Sequence, residues 1–214
     1  MPWQRAATLS CVTSLPRWNE ESDDGELVAA FRAGDVGAFE ALVRRHQKAM
    51  LNVAYRMLGN YDEACEVAQD AFVAAYKGLA NFRGEARFTT WLTTITLNQA
   101  RNRIEHLASR RRHEAYSLDA PPPGRDGDPP EDPPSHAPSA LDLLEEEAIR
   151  KRVENCIESL PPDFREVLVL RDLRDHSYEE IGAMLKLREG TVKSRLFRAR
   201  DGVKDCIEGA GGTP

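Results

Sequence analysis

Apolar residues recur at three- and four-residue intervals along most of this chain, the spacing that lines one face of a helix. Leu27, Val28 and Phe31 mark a short helix, and Phe39, Leu42, Val43, Met50, Val53, Ala54 and Met57 mark a long one. A third stripe, Ala64, Val67, Ala68, Ala71, Phe72, Ala75 and Tyr76, follows Asn60 and Glu63, which can cap its start. After a break over Gly78 to Glu85, a fourth helix is predicted with Phe88, Trp91, Leu92, Ile95 and Ile104 on one face. Val167, Leu168, Val169 and Leu170 hint at a strand, but the flanks from Asp163 to Arg174 keep helical period, so this segment is read as helix. The pattern predicts an all-α fold.

The sharpest local signal is SYEEIGAMLKLREGTVKSRLFRAR, Ser177 to Arg200. Ser177 followed three residues later by Glu180 is a capping box, and Ile181 and Leu185 face inward from the helix it starts. Lys186 to Arg188 read as a turn. A second helix from about Glu189 points Val192, Leu196 and Val203 inward and leaves Lys193, Arg195, Arg198 and Arg200 outside. Between Lys186 and Lys204, seven Lys or Arg face two acids, a surplus of five. Cap, short turn and charge asymmetry together describe a helix-turn-helix with a basic second helix, the arrangement that enters the major groove of DNA. Its local field counts for more than the whole chain's net charge of −6.

Between His113 and Leu144 helical periodicity stops. This stretch holds eight prolines and one base, Arg125, against Glu114, Asp119, Asp126, Asp128, Glu131, Asp132 and Asp142. It reads as an extended acidic tether. The expected division is a tail over 1–22, a helical domain over 23–112, the tether over 113–143, a second helical domain over 144–208 and a tail over 209–214.

A second basic constellation lies in NFRGEARFTTWLTTITLNQARNRIEHLASRRR, Asn81 to Arg112, where seven arginines face Glu85 and Glu105. Phe82, Phe88 and Trp91 are interleaved with them, and aromatics beside cations hold unstacked bases. Phe88 and Trp91 share the core stripe and are read as core, which leaves the Asn81 to Arg87 loop as the pocket for a flipped base.

The remaining composition narrows the classes. No apolar stretch approaches the roughly 20 residues of a bilayer span, and MPWQRAATLSCVTSLPRW lacks the apolar run of a signal peptide. Cys11, Cys65, Cys156 and Cys206 form no CxxC pair, so neither a zinc site nor a disulfide framework is expected, and a reduced cytoplasmic location fits. Cys65 and Cys156 are read as small apolar residues. The five histidines lack metal-ligand spacing, and Asp62, Glu63, Glu66 and Asp70 cannot all converge on one helix face. Neither a metal, a cofactor nor catalysis is expected.

Two blocks in order, EACEVAQDAFVAAYKGLANFRGEARFTTWL and LPPDFREVLVLRDLRDHSYEEIGAMLKLREGTVKSRLFRARDGVKD, resemble bacterial RNA polymerase sigma factors of the extracytoplasmic-function (ECF) class, and the resemblance runs from Asp24 to Glu208. It implies a transcription initiation factor with sigma regions 2 and 4. It also implies that Glu66, Gln69 and Asp70 dock on core polymerase, with Cys65 standing where relatives usually carry an acid. For the minus-ten element it implies DNA contact by Phe82, Arg83, Asn98, Asn102 and Arg103, although Thr96 and Leu97 replace small and basic residues usual in the family. For the minus-thirty-five element it implies Lys193, Ser194, Phe197 and Arg198, with Arg195 and Arg200 nearer phosphates. The implied partners are the beta-prime clamp helices and beta flap of core polymerase, promoter DNA and an anti-sigma factor. A helix-turn-helix repressor is the close alternative, and the basic aromatic surface of the first block argues against it.

Overall fold

A computed structural model of the chain describes Trp18, residues 22–114 and residues 140–209. The expected tails and most of the expected tether lie outside the described residues. Every regular element described is helical: α1 (Asp24–Arg32), α2 (Val36–Leu58), α3 (Tyr61–Gly78), α4 (Phe88–Glu114), α5 (Ala140–Ser159), α6 (Pro162–Leu168), α7 (Tyr178–Leu185) and α8 (Glu189–Gly209). A 3-10 turn at Leu79–Asn81 follows α3, and a π turn at Val169–Leu173 continues α6. The suspected strand over Val167 to Leu170 is therefore helical, as its flanks require. α5 starts inside the span expected for the tether.

The chain forms two compact units, 1–45 and 46–214. In the first, Asp23 caps α1 by accepting the Gly25 amide at 2.9 Å, and Arg45 closes on Asp24 at 2.6 Å. In the second, one apolar core runs through every helix from α2 to α8. Val53 and Met57 of α2, Val67 of α3 and Leu97 and Ala100 of α4 join Ile157 of α5, Leu160 just past its end, Val167 to Leu170, Ile181 of α7, and Val192, Leu196 and Ala199 of α8. The two helical blocks on either side of the tether are thus packed together. A fully buried Val or Leu contributes about 1.5–3 kcal/mol, so this core outweighs any surface ion pair, at about 0–1 kcal/mol.

On α4 the buried face differs from the expected one. Phe88 and Leu92 are buried, but Trp91, Ile95 and Ile104 are only half-buried, and Thr93, Thr96, Leu97 and Ala100 fill the core instead. Thr96 tolerates burial because its hydroxyl donates to the Leu92 carbonyl at 3.0 Å and touches the Met50 sulfur at 3.2 Å. The cysteine reading is also corrected. Cys156 and Cys206 are joined by a disulfide between α5 and α8. No spacing motif announces a pair 50 residues apart; the packing of two helices creates it.

Candidate nucleic-acid and polymerase interface

The helix-turn-helix forms as its sequence requires. The Ser177 hydroxyl accepts the Glu180 amide at 3.1 Å, and the Glu180 carboxylate accepts the Ser177 amide at 2.8 Å. That amide holds the Glu180 carboxyl below its usual range. α7 ends on Lys186 in the left-handed region, φ 55°, and the Leu187 amide donates back to the Gly182 carbonyl at 2.8 Å. Glycine is required at 182, since a Cβ there would lie 2.9 Å from the Leu187 carbonyl oxygen.

Val192, Leu196 and Ala199 bury one face of α8. On the other, Phe197 is 71% exposed, and beside it Lys193, Ser194, Arg198 and Arg200 face solvent. Arg198 has no ion-pair partner among the described residues. The other cations are engaged. Lys193 meets Glu189 at 2.6 Å, which holds its ammonium above the usual lysine value, and lies 5.5 Å from the Tyr178 ring centroid. Arg200 grips Asp172 with two bonds of 2.5 and 3.0 Å. Arg195 departs from expectation: it is half-buried, held by Asp163 at 2.7 Å with Glu166 at 3.6 Å. Ser194 donates to the Thr191 carbonyl at 3.0 Å.

On α4 and the loop before it, Phe82 lies half-buried with its ring 4.9 Å from Trp91 and edge-on to Phe88 at 6.3 Å. Arg83 is exposed, 3.7 Å from Glu85, and Gly84 turns the loop at φ 75°. Asn98 and Asn102 face solvent. Thr96 and Leu97 do not, being 0% and 1% exposed. Arg103 reaches across to α3 and donates to both Glu63 and Glu66, and the Glu63 bond raises its pKa above the usual arginine value.

α3 is capped by Asn60, whose side chain accepts the Glu63 amide at 2.9 Å. Glu66, Gln69 and Asp70 are exposed on one face, and Val73 and Tyr76 extend it at 46% and 45% exposure. Tyr76 therefore leaves the core stripe assigned to it. The face is acidic at its start and apolar at its end.

Comparison with known proteins places these surfaces. The model of sigma-70 region 2 matches residues 42–112, and that of sigma-70 region 4 matches residues 150–201. The RNA polymerase sigma-H factor of Pseudomonas aeruginosa is 35% identical over 202 residues, spanning 88% of this chain and 95% of its own. The ECF RNA polymerase sigma-E factor of Escherichia coli is 36% identical over 197 residues, spanning 89% and 97%. The chain is an ECF sigma factor of the sigma-70 family. Among solved structures, CnrH in complex with the cytosolic domain of CnrY aligns with TM-score 0.60 at 25% identity, covering 88% of this chain and 99% of that one. The sigma factor RpoE of Bartonella quintana, solved with the anti-sigma factor NepR, shares the fold with TM-score 0.57 and 24% identity.

As a sigma factor the chain acts in transcription initiation, and its relatives are regulators of transcription rather than catalysts. Among the described residues no three His, Cys, Asp or Glu gather as metal ligands, and no helix is long and apolar enough to cross a membrane. Glu63 and Glu66 do converge, but on the Arg103 guanidinium.

The sequence reading missed a set of charged residues between regions 2 and 4. Arg101 donates to Glu166 at 2.6 Å, and Arg56 meets Glu154 at 2.9 Å. Arg165, 8% exposed, donates to the carbonyls of Met57, Glu158 and Leu160, which end α2 and α5 without helical partners. Burial lowers the Arg165 pKa and raises that of Glu166. One signal was available: two charged residues directly before the apolar run Val167 to Leu170 belong to a buried segment, and buried charges need partners.

Proposed function

We propose that this sigma factor brings core RNA polymerase to promoters by using three separate surfaces. The α3 face of Glu66, Gln69 and Asp70 docks on polymerase. α8 reads the minus-thirty-five element as duplex, with Phe197 and Arg198 at base edges, Lys193 and Ser194 beside them, and Arg195 and Arg200 toward phosphates. The minus-ten element is melted and held at the Phe82–Arg83 loop and along Asn98, Asn102 and Arg103. Region 2 acts over 23–112, region 4 over 144–208, and the acidic segment 113–143 tethers them. The working location is then the cytoplasm, where the polymerase is. A protein of the anti-sigma kind is a further proposed partner, as the sigma factor RpoE of Bartonella quintana was solved with the anti-sigma factor NepR.

The observation that carries this reading is the exposed Phe197 beside Arg198, exposed and without an ion-pair partner among the described residues, on a basic helix. An aromatic at 71% exposure gains nothing from folding, whereas apolar contact with a thymine methyl and a bidentate arginine on guanine each discriminate by about 1–3 kcal/mol. A polymerase-free repressor would leave the α3 face and the loop aromatics without a task. Run-off transcription with core polymerase and this chain on a pool of genomic promoters tests the proposal. Transcripts sharing one upstream and one downstream element are expected; duplex binding without transcripts would favour the repressor.

A further inference from the structure

The cations of the helix-turn-helix fall into two groups according to their partners. Of the seven between Lys186 and Lys204, four are already engaged: Lys193 by Glu189 at 2.6 Å, Arg195 by Asp163 at 2.7 Å, Arg200 by Asp172 at 2.5 Å and Lys204 by Glu208 at 3.8 Å. Lys186, Arg188 and Arg198 have no ion-pair partner among the described residues, and all three are exposed. A cation that brings its carboxylate along adds little net charge to a phosphate contact, whereas a bare one neutralises a phosphate and releases its counterion in full. Two of the three bare cations sit in the turn, where none of the proposed DNA-reading residues lies.

Backbone geometry gives the turn cations a definite place. Lys186 holds φ 55°, the left-handed conformation that usually closes a helix on glycine or asparagine. Glycine would take it without strain, so the lysine side chain has a use that the turn itself does not require. Complementing the C-terminal dipole of α7 is one such use, and phosphate contact is another. Arg188 directly precedes α8, and its carbonyl accepts the Thr191 and Val192 amides at 2.8 and 3.1 Å, which ties it to the helix axis. Arg188 and Arg198 are ten residues apart, roughly 15 Å at about 1.5 Å per residue, against a major groove about 12 Å wide. A helix that sets Arg198 against base edges thus carries the turn to the rim of the groove, where the phosphates run. Between them Gly190, in line with Ser194 and Phe197, has nothing within 4 Å of where a Cβ would stand, so that side of the helix is open.

We propose that Lys186 and Arg188 are positioning residues that grip backbone phosphates at the edge of the upstream element and fix the register of α8 in the groove, while Phe197 and Arg198 read the bases. The idea rests on the reading of α8 as the DNA-reading helix. Phosphate contacts set orientation and carry no sequence information directly. The turn therefore governs how tightly every upstream sequence is held, and α8 governs which sequence is preferred. Arg195 and Arg200 turn to phosphates only by leaving Asp163 and Asp172, so each contributes less than a turn cation.

The test measures the salt dependence of promoter affinity, with the full chain and saturating core polymerase, on DNA whose upstream element is intact or scrambled. Lys186→Gly with Arg188→Gln should reduce the slope of log affinity against log salt by about two, since each phosphate contact contributes about 0.9. Between about 50 and 200 mM salt the advantage of the wild type over this variant should then shrink on the order of tenfold, equally on intact and scrambled elements. Lys186→Gly alone should lower the slope by about one without lowering the melting midpoint, because glycine suits the left-handed position. A lysine serving only the helix dipole would do the opposite, losing midpoint and keeping slope. Lys186→Arg should keep the wild-type slope, and Lys204→Gln, which removes a cation already beside Glu208, should move it far less than either turn change. An unchanged slope in the double variant, an equal loss in Lys204→Gln, or an altered order of preferred upstream sequences would each overturn the proposal. So would a loss of core affinity in place of slope, which would give the turn to an acidic protein partner. A wild type that prefers no upstream sequence while the turn variants still lose slope would instead remove the reading of α8 and leave the phosphate contact standing.

Discussion

The segments Asn81–Arg112 around α4 and Lys186–Lys204 around α8 carry equal charge surpluses in sequence and use them differently. Arg101 and Arg103 of α4 are both spent inside the protein, on Glu166 and on Glu63 with Glu66. α8 keeps Arg198 in water next to Phe197, while its neighbours Arg195 and Arg200 are held by Asp163 and Asp172. A count of basic residues measures the field available at long range. Contact depends on which guanidiniums are already ion-paired, and by that measure α8 presents Arg198 and Phe197 to solvent while α4 presents asparagines, Asn98 and Asn102, beside arginines that meet Glu63, Glu66 and Glu166. The difference matches the two proposed tasks, since duplex is read by charge-assisted contacts in a groove and an unstacked base by edge contacts and stacking.

The largest effect should come from cutting the one covalent brace that α8 has. The Cys156–Cys206 disulfide closes a long loop around the helix-turn-helix, and such a bridge contributes about 2–4 kcal/mol. Cys156→Ser should lower the thermal midpoint of region 4 by several degrees, and reductant should lower the wild type to the same value while leaving the variant unmoved. If reductant shifts both equally, the bridge is not what braces α8.

Paired arginine deletions sharpen the comparison directly. Arg198→Ala should leave stability within about 0.5 kcal/mol, as surface changes do, and reduce discrimination at one or two upstream positions by about 1–3 kcal/mol. Arg103→Ala should do the reverse, leaving upstream discrimination intact and costing up to about 1 kcal/mol of stability because Glu63 and Glu66 lose their shared partner. Melting curves and a library of mutated upstream elements measure the two. Equal stability losses would erase the distinction between the helices.

Within region 2, Phe82→Ala with Arg83→Ala should impair promoter opening and be rescued by a premelted minus-ten template, each stacking contact being worth about 1–3 kcal/mol. The melting temperature should fall slightly, since Phe82 also packs on Trp91. Changing Glu66 and Gln69 should lower core affinity, with no rescue by premelting. Rescue of the second pair and not the first would exchange the two surfaces.

Most of this architecture is legible in local sequence because helix caps and stripes are local physics. Asn60 and Ser177 form the expected caps, the turn at Lys186 falls where the apolar period breaks, and Val192 with Leu196 face inward. What escaped depends on partners far along the chain. Thr93 and Thr96 look polar, so the apolar stripe that the sequence predicts on α4 runs through Trp91, Ile95 and Ile104; local hydroxyl bonding lets Thr96 be buried instead. Arg195 and Arg200 look like free cations until α6 and the π turn bring Asp163 and Asp172 beside them. Cys156 finds Cys206, and Arg101 finds Glu166, only through packing between helices that periodicity cannot orient.

The smallest contrast is in pH response, and it belongs to the α7–α8 side. Burial of the His176 ring holds its pKa below the ordinary histidine value, against the opposing pull of Glu180 at 3.6 Å. A base whose folded pKa is depressed binds its proton more readily when unfolded, so its contribution is fully present above about pH 6.5 and is lost as pH falls through that value. Glu180, held low by the Ser177 amide, adds a loss of the same sign only further down, as pH drops through the ordinary carboxylate range. Glu166 works the other way: its raised pKa means the fold takes up a proton before the unfolded chain does, so acidification just above that range favours the folded state. Between pH 7.5 and 5.5 the histidine is therefore the main destabilising group of the three, and one proton cannot contribute more than about 1.4 kcal/mol per pH unit. Denaturant unfolding across that interval should show a shallow decline in stability. His176→Gln should flatten it while leaving the stability at pH 7.5 little changed, and an equal slope in the variant would assign the decline to another group.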